Sequence, residues 1–273
     1  MKITAQDVNK LRKMTGAGMM DCKNALMEAN GDFELAKDIL RKKGQKIANK
    51  RADKEANEGV VKAKVSGDKT FGAILAFSCE TDFVANGPDM KEFVDKALDY
   101  AIANKITSLD ELKAAKIDDL SVAEKITELM GKIGEKLEIA GFDTIEAAAV
   151  YAYNHNTGKL ASMVGLNKEN DEVGHNLAMQ VAAMNPIAVS KEGIDQSILD
   201  KEKEIGMELA RQEGKPENML EKIALGRLNK FIKENTLLGQ SYVKDGKKTV
   251  EQYLKETDPE IQVTAIKRLI LGD

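Results

Sequence analysis

Apolar positions recur at a spacing of three to four through residues 4–43 and at a spacing of two from residue 59, so the chain reads as helices followed by strands. Thr4 with an acid at Asp7 is a helix-start signal, and Val8, Leu11 and Met14 share one face of the helix that it opens, which Gly16 ends. Met19, Cys22, Leu26 and Met27 mark a second amphipathic helix, closed by Asn30-Gly31. Asp32 caps a third that carries Phe33, Leu35, Ala36, Ile39 and Leu40, and Gly44 is its expected stop. The pattern predicts a three-helix module over residues 1–44. Residues 45–58 are rich in Lys, Ala and Glu with little apolar periodicity, and read as a solvated helical linker.

The period of two begins with Val61, Ala63 and Val65, which alternate with lysines; Gly67-Asp68 supplies a turn and residues 71–79 form a second, more apolar run. This predicts a β-hairpin. A helix follows through Phe93, Val94, Ala97, Leu98 and Ala101, and residues 136–142 return as a third strand. The same order then recurs in residues 147–153, a turn at Asn156-Thr157-Gly158, residues 160–166, a helix over 173–183 ended by Asn185-Pro186, and a last strand over 261–271. Between that helix and that strand, Ile198, Ile205 and Leu209 lie on one side of Gly214-Lys215-Pro216, with Leu220, Ile223, Leu228 and Ile232 on the other. Narrow apolar stripes with charged flanks suit two helices packed mainly on each other. The expected class is α+β: residues 59–143 and 144–273 form two related subdomains, each a β-hairpin plus a helix, and the second carries a protruding antiparallel helical hairpin at about 194–234.

The 273 residues give room for a sizeable core, and 41 basic against 45 acidic side chains leave a net charge of −4, no electrostatic reason to expect nucleic acid as the main ligand. Cys22 and Cys79 are too far apart in sequence for a CxxC pair, and two thiols do not make a secreted disulfide framework. The expected compartment is a reducing cytoplasm or organelle matrix. The amino terminus has no apolar signal core, and no run has the ~18 apolar residues of a membrane span. The chain is therefore expected to be soluble and to begin near its mature start.

Thr81-Asp82-Phe83-Val84 falls where a strand gives way to a loop, and Gly87-Pro88 keeps the next helix from starting early. Two readings of this tip stand side by side. In one, Thr81 or Asp82 is a turn or cap residue and Phe83 folds back into the core; in the other, the tip meets a partner. An enzyme would have to use Cys79 as nucleophile with His155 or His175 as base. Two histidines without clustered cysteines or carboxylates make a poor zinc set, and no GxxxxGK[ST] loop is present, so the chain is not itself a GTPase.

Two blocks are more specific than helix or strand composition requires. They are Leu11-Arg12-Lys13-Met14-Thr15-Gly16-Ala17-Gly18-Met19-Met20-Asp21-Cys22-Lys23-Asn24-Ala25-Leu26 and Ser78-Cys79-Glu80-Thr81-Asp82-Phe83-Val84-Ala85-Asn86. Together with Gly214-Lys215-Pro216, Gly226-Arg227-Leu228-Asn229-Lys230-Phe231 and Leu237-Leu238-Gly239-Gln240-Ser241-Tyr242-Val243-Lys244-Asp245, they give a chain that resembles the bacterial and organellar elongation factor Ts family over nearly its whole length.

The resemblance implies a non-enzymatic guanine-nucleotide exchange factor that drives GDP off elongation factor Tu. It would need no cofactor, small-molecule substrate, nucleic acid or membrane of its own. It implies a ubiquitin-associated type of fold for the first three helices, and a GTPase contact at Thr81, Asp82, Phe83 and Val84. Docking contacts follow at Leu11, Arg12 and His155, although Thr157-Gly158-Lys159-Leu160 departs from the more glycine-rich, arginine-containing turn common in the family. GDP is held largely by Mg²⁺ and by phosphate-loop amides, so a wedge that shifts the metal's ligands leaves the phosphates underneutralised. A competing reading makes the protein an adaptor whose helical head binds ubiquitin-like or peptide ligands; it leaves Asp82 and Phe83 unexplained.

Overall fold

The computed structural model describes residues 3–272. Three helices open the chain, α1 (Ala5–Thr15), α2 (Met19–Glu28) and α3 (Phe33–Lys50), followed by strands β1 (Glu58–Val65) and β2 (Phe71–Cys79). Next come α4 (Asp82–Ala85), α5 (Pro88–Ala103), α6 (Leu109–Ala114), the short pair β3 (Lys116–Ile117) and β4 (Leu120–Ser121), α7 (Val122–Ile133) and β5 (Glu138–Glu146). The remainder holds β6 (Ala149–Asn154), β7 (Leu160–Leu166), α8 (Asp171–Met184), α9 (Gln196–Gln212), α10 (Glu217–Asn235), β8 (Ser241–Tyr242), β9 (Asp245–Thr249), α11 (Val250–Thr257) and β10 (Val263–Ile270). The class is mixed helix and antiparallel sheet, as the two periodicities predict.

Two three-stranded antiparallel sheets, ordered β1-β2-β5 and β10-β7-β6, form the centre. In each, the strand that returns after the helices joins the second strand of the hairpin. The parity of β2 explains its uniform apolarity. Phe71, Ala73, Leu75 and Phe77 pack outward against Phe93, Leu98 and Ile126 of α5 and α7, whereas Ile74 and Ala76 point inward, where Val61 and Ala63 meet Val150, Ala161 and Met163 of the other sheet. On the far side, Tyr151, Val164 and Leu166 pack under α8 and α11. The order is helices, sheet, sheet, helices, and a strand buried on both faces has no polar positions to alternate.

The second hairpin runs along the free edge of β1. The Val61 amide donates to the Gly158 carbonyl at 2.7 Å, and the Asn154 side chain accepts from the Ala63 N–H at 2.8 Å while donating to its carbonyl at 3.0 Å. Asn154 thus gives one residue of β1 the two hydrogen bonds that a neighbouring strand would give.

The helices differ from the sequence expectation in three places. The third helix does not stop at Gly44; α3 continues to Lys50, because Gly44 sits in the helix interior, where a Cβ would come within 2.5 Å of the Thr127 carbonyl oxygen of α7. The glycine permits a close helix crossing, and residues 45–50 are the continuation of the same helix. In α2, Cys22, Ala25 and Leu26 are buried, but Met19 and Met27 are more than half exposed. In α9 the exposed residues are those expected to face the partner helix, Ile198, Ile205 and Leu209, while Leu199, Gly206 and Ala210 are buried. A Cβ on Gly206 would lie 3.2 Å from the Ala224 Cα, so α9 and α10 approach antiparallel through small residues, with Lys203–Glu221 (3.0 Å) and Arg227–Glu213 (2.6 Å) as cross-links. Periodicity alone does not distinguish a large-residue stripe from a small-residue one one position away.

Candidate partner-contact site

Strand β2 ends at Cys79, and the backbone turns at once into α4, a single helical turn. Thr81 is its N-cap: the hydroxyl oxygen accepts from the Val84 amide at 3.3 Å. At the other end Asn86 donates from its amide (3.0 Å) and its side chain (2.9 Å) to the Asp82 carbonyl. Gly87 then caps α5, with Pro88 at its first position. A turn fixed at both ends gives neighbouring side chains opposite fates. Val84 is half-buried and packs on the core between the first sheet and α5, whereas Phe83 is 86% exposed. The capping half of the first reading describes Thr81, but Phe83 does not fold back into the core.

The turn is tied down from two directions. The Glu135 carboxylate accepts from the Glu80 amide (3.2 Å), the Thr81 amide (3.1 Å) and the Thr81 hydroxyl (2.7 Å). The Glu80 carboxylate accepts from the Lys136 amide (2.6 Å) and from the Arg51 guanidinium (2.8 and 2.6 Å). Burial pushes the Glu80 carboxyl up, but the Lys136 amide and the Arg51 guanidinium together outweigh it and hold the group below its ordinary value. Beneath the turn, the Cys79 thiol is fully buried and donates to the Thr81 carbonyl at 3.1 Å. Burial first, then the nearby Glu135 charge, pushes it up to about 11. No imidazole takes part. The His155 ring is 3.0 Å from the Thr157 hydroxyl, and the His175 ring is 2.7 Å from the Asp171 carbonyl at the exposed start of α8. Cys79 therefore lacks the activated geometry that a nucleophile requires.

Two further predicted regions flank the tip. A cleft of about 510 Å³ is lined by Thr81, Asp82 and Asn86 on one wall and by Thr157 and Lys159 on the other, so the β6–β7 turn that carries half-buried His155 borders the tip. On the opposite side, Asp89 at the start of α5 lies between Phe83 and the α1–α2 turn. It lines one cleft with Phe83 and Val84 and another with Met14, Thr15 and Gly16, and it pairs with Lys132 at 2.6 Å. Arg12, in the last turn of α1, is exposed.

Leu11 requires correction. It is 0% exposed, in the centre of a core with Val8, Cys22, Leu26 and Ala36, and can act only by holding α1 in place. The surface of that turn is instead Met14, Met19 and Met20, all about half exposed or more. Adjacent methionines at the start of a helix were the available signal, since two large consecutive side chains point about 100° apart and a narrow core stripe takes at most part of the pair. Glu80, Glu135 and Arg51 left no such trace, because their pairings span 29 to 56 positions.

Among the described residues, no helix is long and apolar enough to cross a membrane, and no group of three or more His, Cys, Asp and Glu is placed to hold a metal ion. What the site offers is a rigid aromatic projection and a flexible methionine surface, the chemistry of protein contact.

Known proteins resemble this chain over most or all of its length. Residues 80–273 match the family described as Elongation factor TS. Elongation factor Ts of Christiangramia forsetii is 51% identical, with 99% of each chain covered; that of Amoebophilus asiaticus is 48% identical, with 100% of each covered. Elongation factor Ts of Parabacteroides distasonis is 40% identical, again over 99% of each. A match that begins at the clamped turn and runs to the carboxyl terminus, with relatives that align end to end, means that the chain belongs to the elongation factor Ts family.

Proposed function

We propose that this chain is a guanine-nucleotide exchange factor for elongation factor Tu, working in the cytoplasm during translation elongation and catalysing no covalent reaction. The observation that carries the reading is Phe83, an almost fully exposed aromatic on a turn whose backbone is pinned on both sides. An unsupported Phe in water gains about 2–3 kcal/mol on burial, enough to drive it between elements of a partner. Asp82 stands beside it with a carboxylate that no hydrogen bond or ion pair engages among the described residues, and it orients the wedge or perturbs the metal site electrostatically. Displacing the segment that positions Mg²⁺ loosens the diphosphate. By linkage, the factor binds the GDP-loaded partner more weakly than the empty one, to the extent that it weakens GDP.

The remaining parts have roles in this scheme. Residues 3–50 form a ubiquitin-associated-like module that docks through Arg12 and the exposed methionines. The two sheets, each with its hairpin, helix and returning strand, are related subdomains that hold the tip and the His155 turn against the GTPase. The α9–α10 hairpin protrudes from the second.

Elongation factor Tu loaded with fluorescent GDP, mixed with this chain and excess unlabelled nucleotide, is expected to release GDP at a rate that rises with factor concentration and saturates. An unchanged release rate overturns the reading. The fold-acceleration is expected to shrink when EDTA has already removed Mg²⁺, because the two effects share one route. An acceleration identical with and without the metal rules out metal displacement as the principal mechanism.

A further inference from the structure

The tip helix α4 has four residues, too short to persist without outside support. The amides of Glu80 and Thr81, which lead into it, point toward the end of α7, where Gly134 closes the helix in the left-handed conformation (φ 84°) and delivers Glu135 to the tip. One Glu135 oxygen takes the amides of both Glu80 and Thr81; the other takes the Thr81 hydroxyl hydrogen at 2.7 Å. With that hydrogen committed, the Thr81 oxygen presents a lone pair to the Val84 amide, so the carboxylate fixes the cap as well as the backbone. The arrangement is reciprocal. The Lys136 amide, one residue on, donates back to the Glu80 carboxylate at 2.6 Å, which Arg51 holds from the end of α3.

We propose that Glu135 is a positioning residue for exchange: through its three hydrogen bonds to Glu80 and Thr81 it sets the direction in which Phe83 projects. The proposal deepens the exchange-factor reading and rests on it. A wedge on a mobile turn must be ordered at the moment of insertion, and a preorganised one has already met that cost. Glu135 touches neither nucleotide nor metal; it acts through the tip.

The 273 residues contain no tryptophan, so Phe83→Trp introduces a single fluorescent indole at the tip. In that background Glu135→Ala is expected to speed the anisotropy decay of the indole, while far-ultraviolet circular dichroism stays unchanged. In the otherwise native chain, Glu135→Ala is expected to lower the GDP release rate at saturating factor about tenfold, with the half-saturating concentration changed by less than about threefold. Glu135→Gln, isosteric and with one acceptor oxygen left, is expected to recover the rate to within about threefold of wild type. Should the alanine variant fail to fold, Glu135→Ser, too short to reach both amides, takes its place with the same slowing expected and the same overturning results. An unchanged anisotropy decay overturns the proposal, as does a saturating rate for Glu135→Ala within about twofold of wild type. Should the wild-type chain leave GDP release unaltered, the exchange-factor reading falls on its own, and the indole anisotropy alone upholds or overturns the clasp.

Discussion

Gly44 and Gly131 face each other without side chains where α3 crosses α7: a Cβ on Gly131 would lie 3.1 Å from the Gly44 Cα. The crossing is flanked by the Arg41–Glu124 pair at 3.1 Å. It fastens the amino-terminal helices to the body of the molecule through backbone contact, a joint that tolerates no added atom.

Gly44→Ala is therefore expected to destabilise the protein by about 1–3 kcal/mol, despite the higher helix propensity of alanine. Gly226 in α10 is the control, with open space where its Cβ would stand. There the same exchange is expected to stabilise by about 0.5–1 kcal/mol. Urea unfolding of the two variants checks both signs; a stabilised Gly44→Ala would mean that the crossing is loose in solution.

Phe83→Ala removes a side chain that contributes almost nothing to the core, so unfolding free energy is expected to stay within about 0.5 kcal/mol of wild type. GDP release at saturating factor is expected to slow about ten- to thirtyfold, the kinetic equivalent of about 1.4–2 kcal/mol, with a much smaller loss of affinity. Asp82→Ala is expected to give a lesser defect in the same direction. Stopped-flow release and calorimetric binding separate the two quantities, and a larger defect for Asp82→Ala moves the main burden to the carboxylate.

The helices and strands were legible from period and capping, because a turn such as Asn30-Gly31 or a cap such as Asp32 acts within a few residues of itself. The tip was legible as a place: the change from the apolar run of β2 to Thr81-Asp82 marks a strand end. Its use was not, because whether Phe83 turns inward depends on whether the Val84 side of α4 already fills the core, which is a packing fact. The same limit explains Gly44, whose reading as a helix stop was reasonable until α7, more than seventy positions away, was known to lie against it. Leu11 and the methionines changed places for a related reason: an amphipathic face shows what can be buried, and the neighbours decide what is.

Arg51→Ala gives a pH-dependent test of the Glu80 anchor. The folded Glu80 carboxyl lies below its ordinary 4.5, so its contribution to stability is complete above that value and is lost as pH falls through the folded value. Arg51 is partly exposed, so its removal is expected to cost only about 1 kcal/mol near pH 7. That difference is expected to shrink as pH falls through the folded carboxyl's lowered value and Glu80 becomes protonated in both proteins. Urea midpoints for variant and wild type across this range report it; a difference that grows in acid would assign the anchor to another group.

Cys79 is expected to resist iodoacetamide at neutral pH, with burial raising its pKa to about 11 and its thiol donating to the Thr81 carbonyl. Mass spectrometry of the alkylated native chain checks this. Rapid modification at Cys79 would mean that the tip opens readily, and would reopen an enzymatic role for the thiol.

Asn154 has a consequence beyond the fold it helps to build. A bare strand edge offers an unpaired row of donors and acceptors to any other extended chain, including a second copy of the same protein. On β1 that row is interrupted from within, at Val61 by the Gly158 carbonyl and at Ala63 by the Asn154 amide, which satisfies both backbone groups of one residue. An amide side chain ends the ladder because, unlike a strand, it has no next residue to pair. The sheet is terminated by a group that cannot propagate it, and a surface that would otherwise template aggregation is sealed by the hairpin that carries the His155 turn.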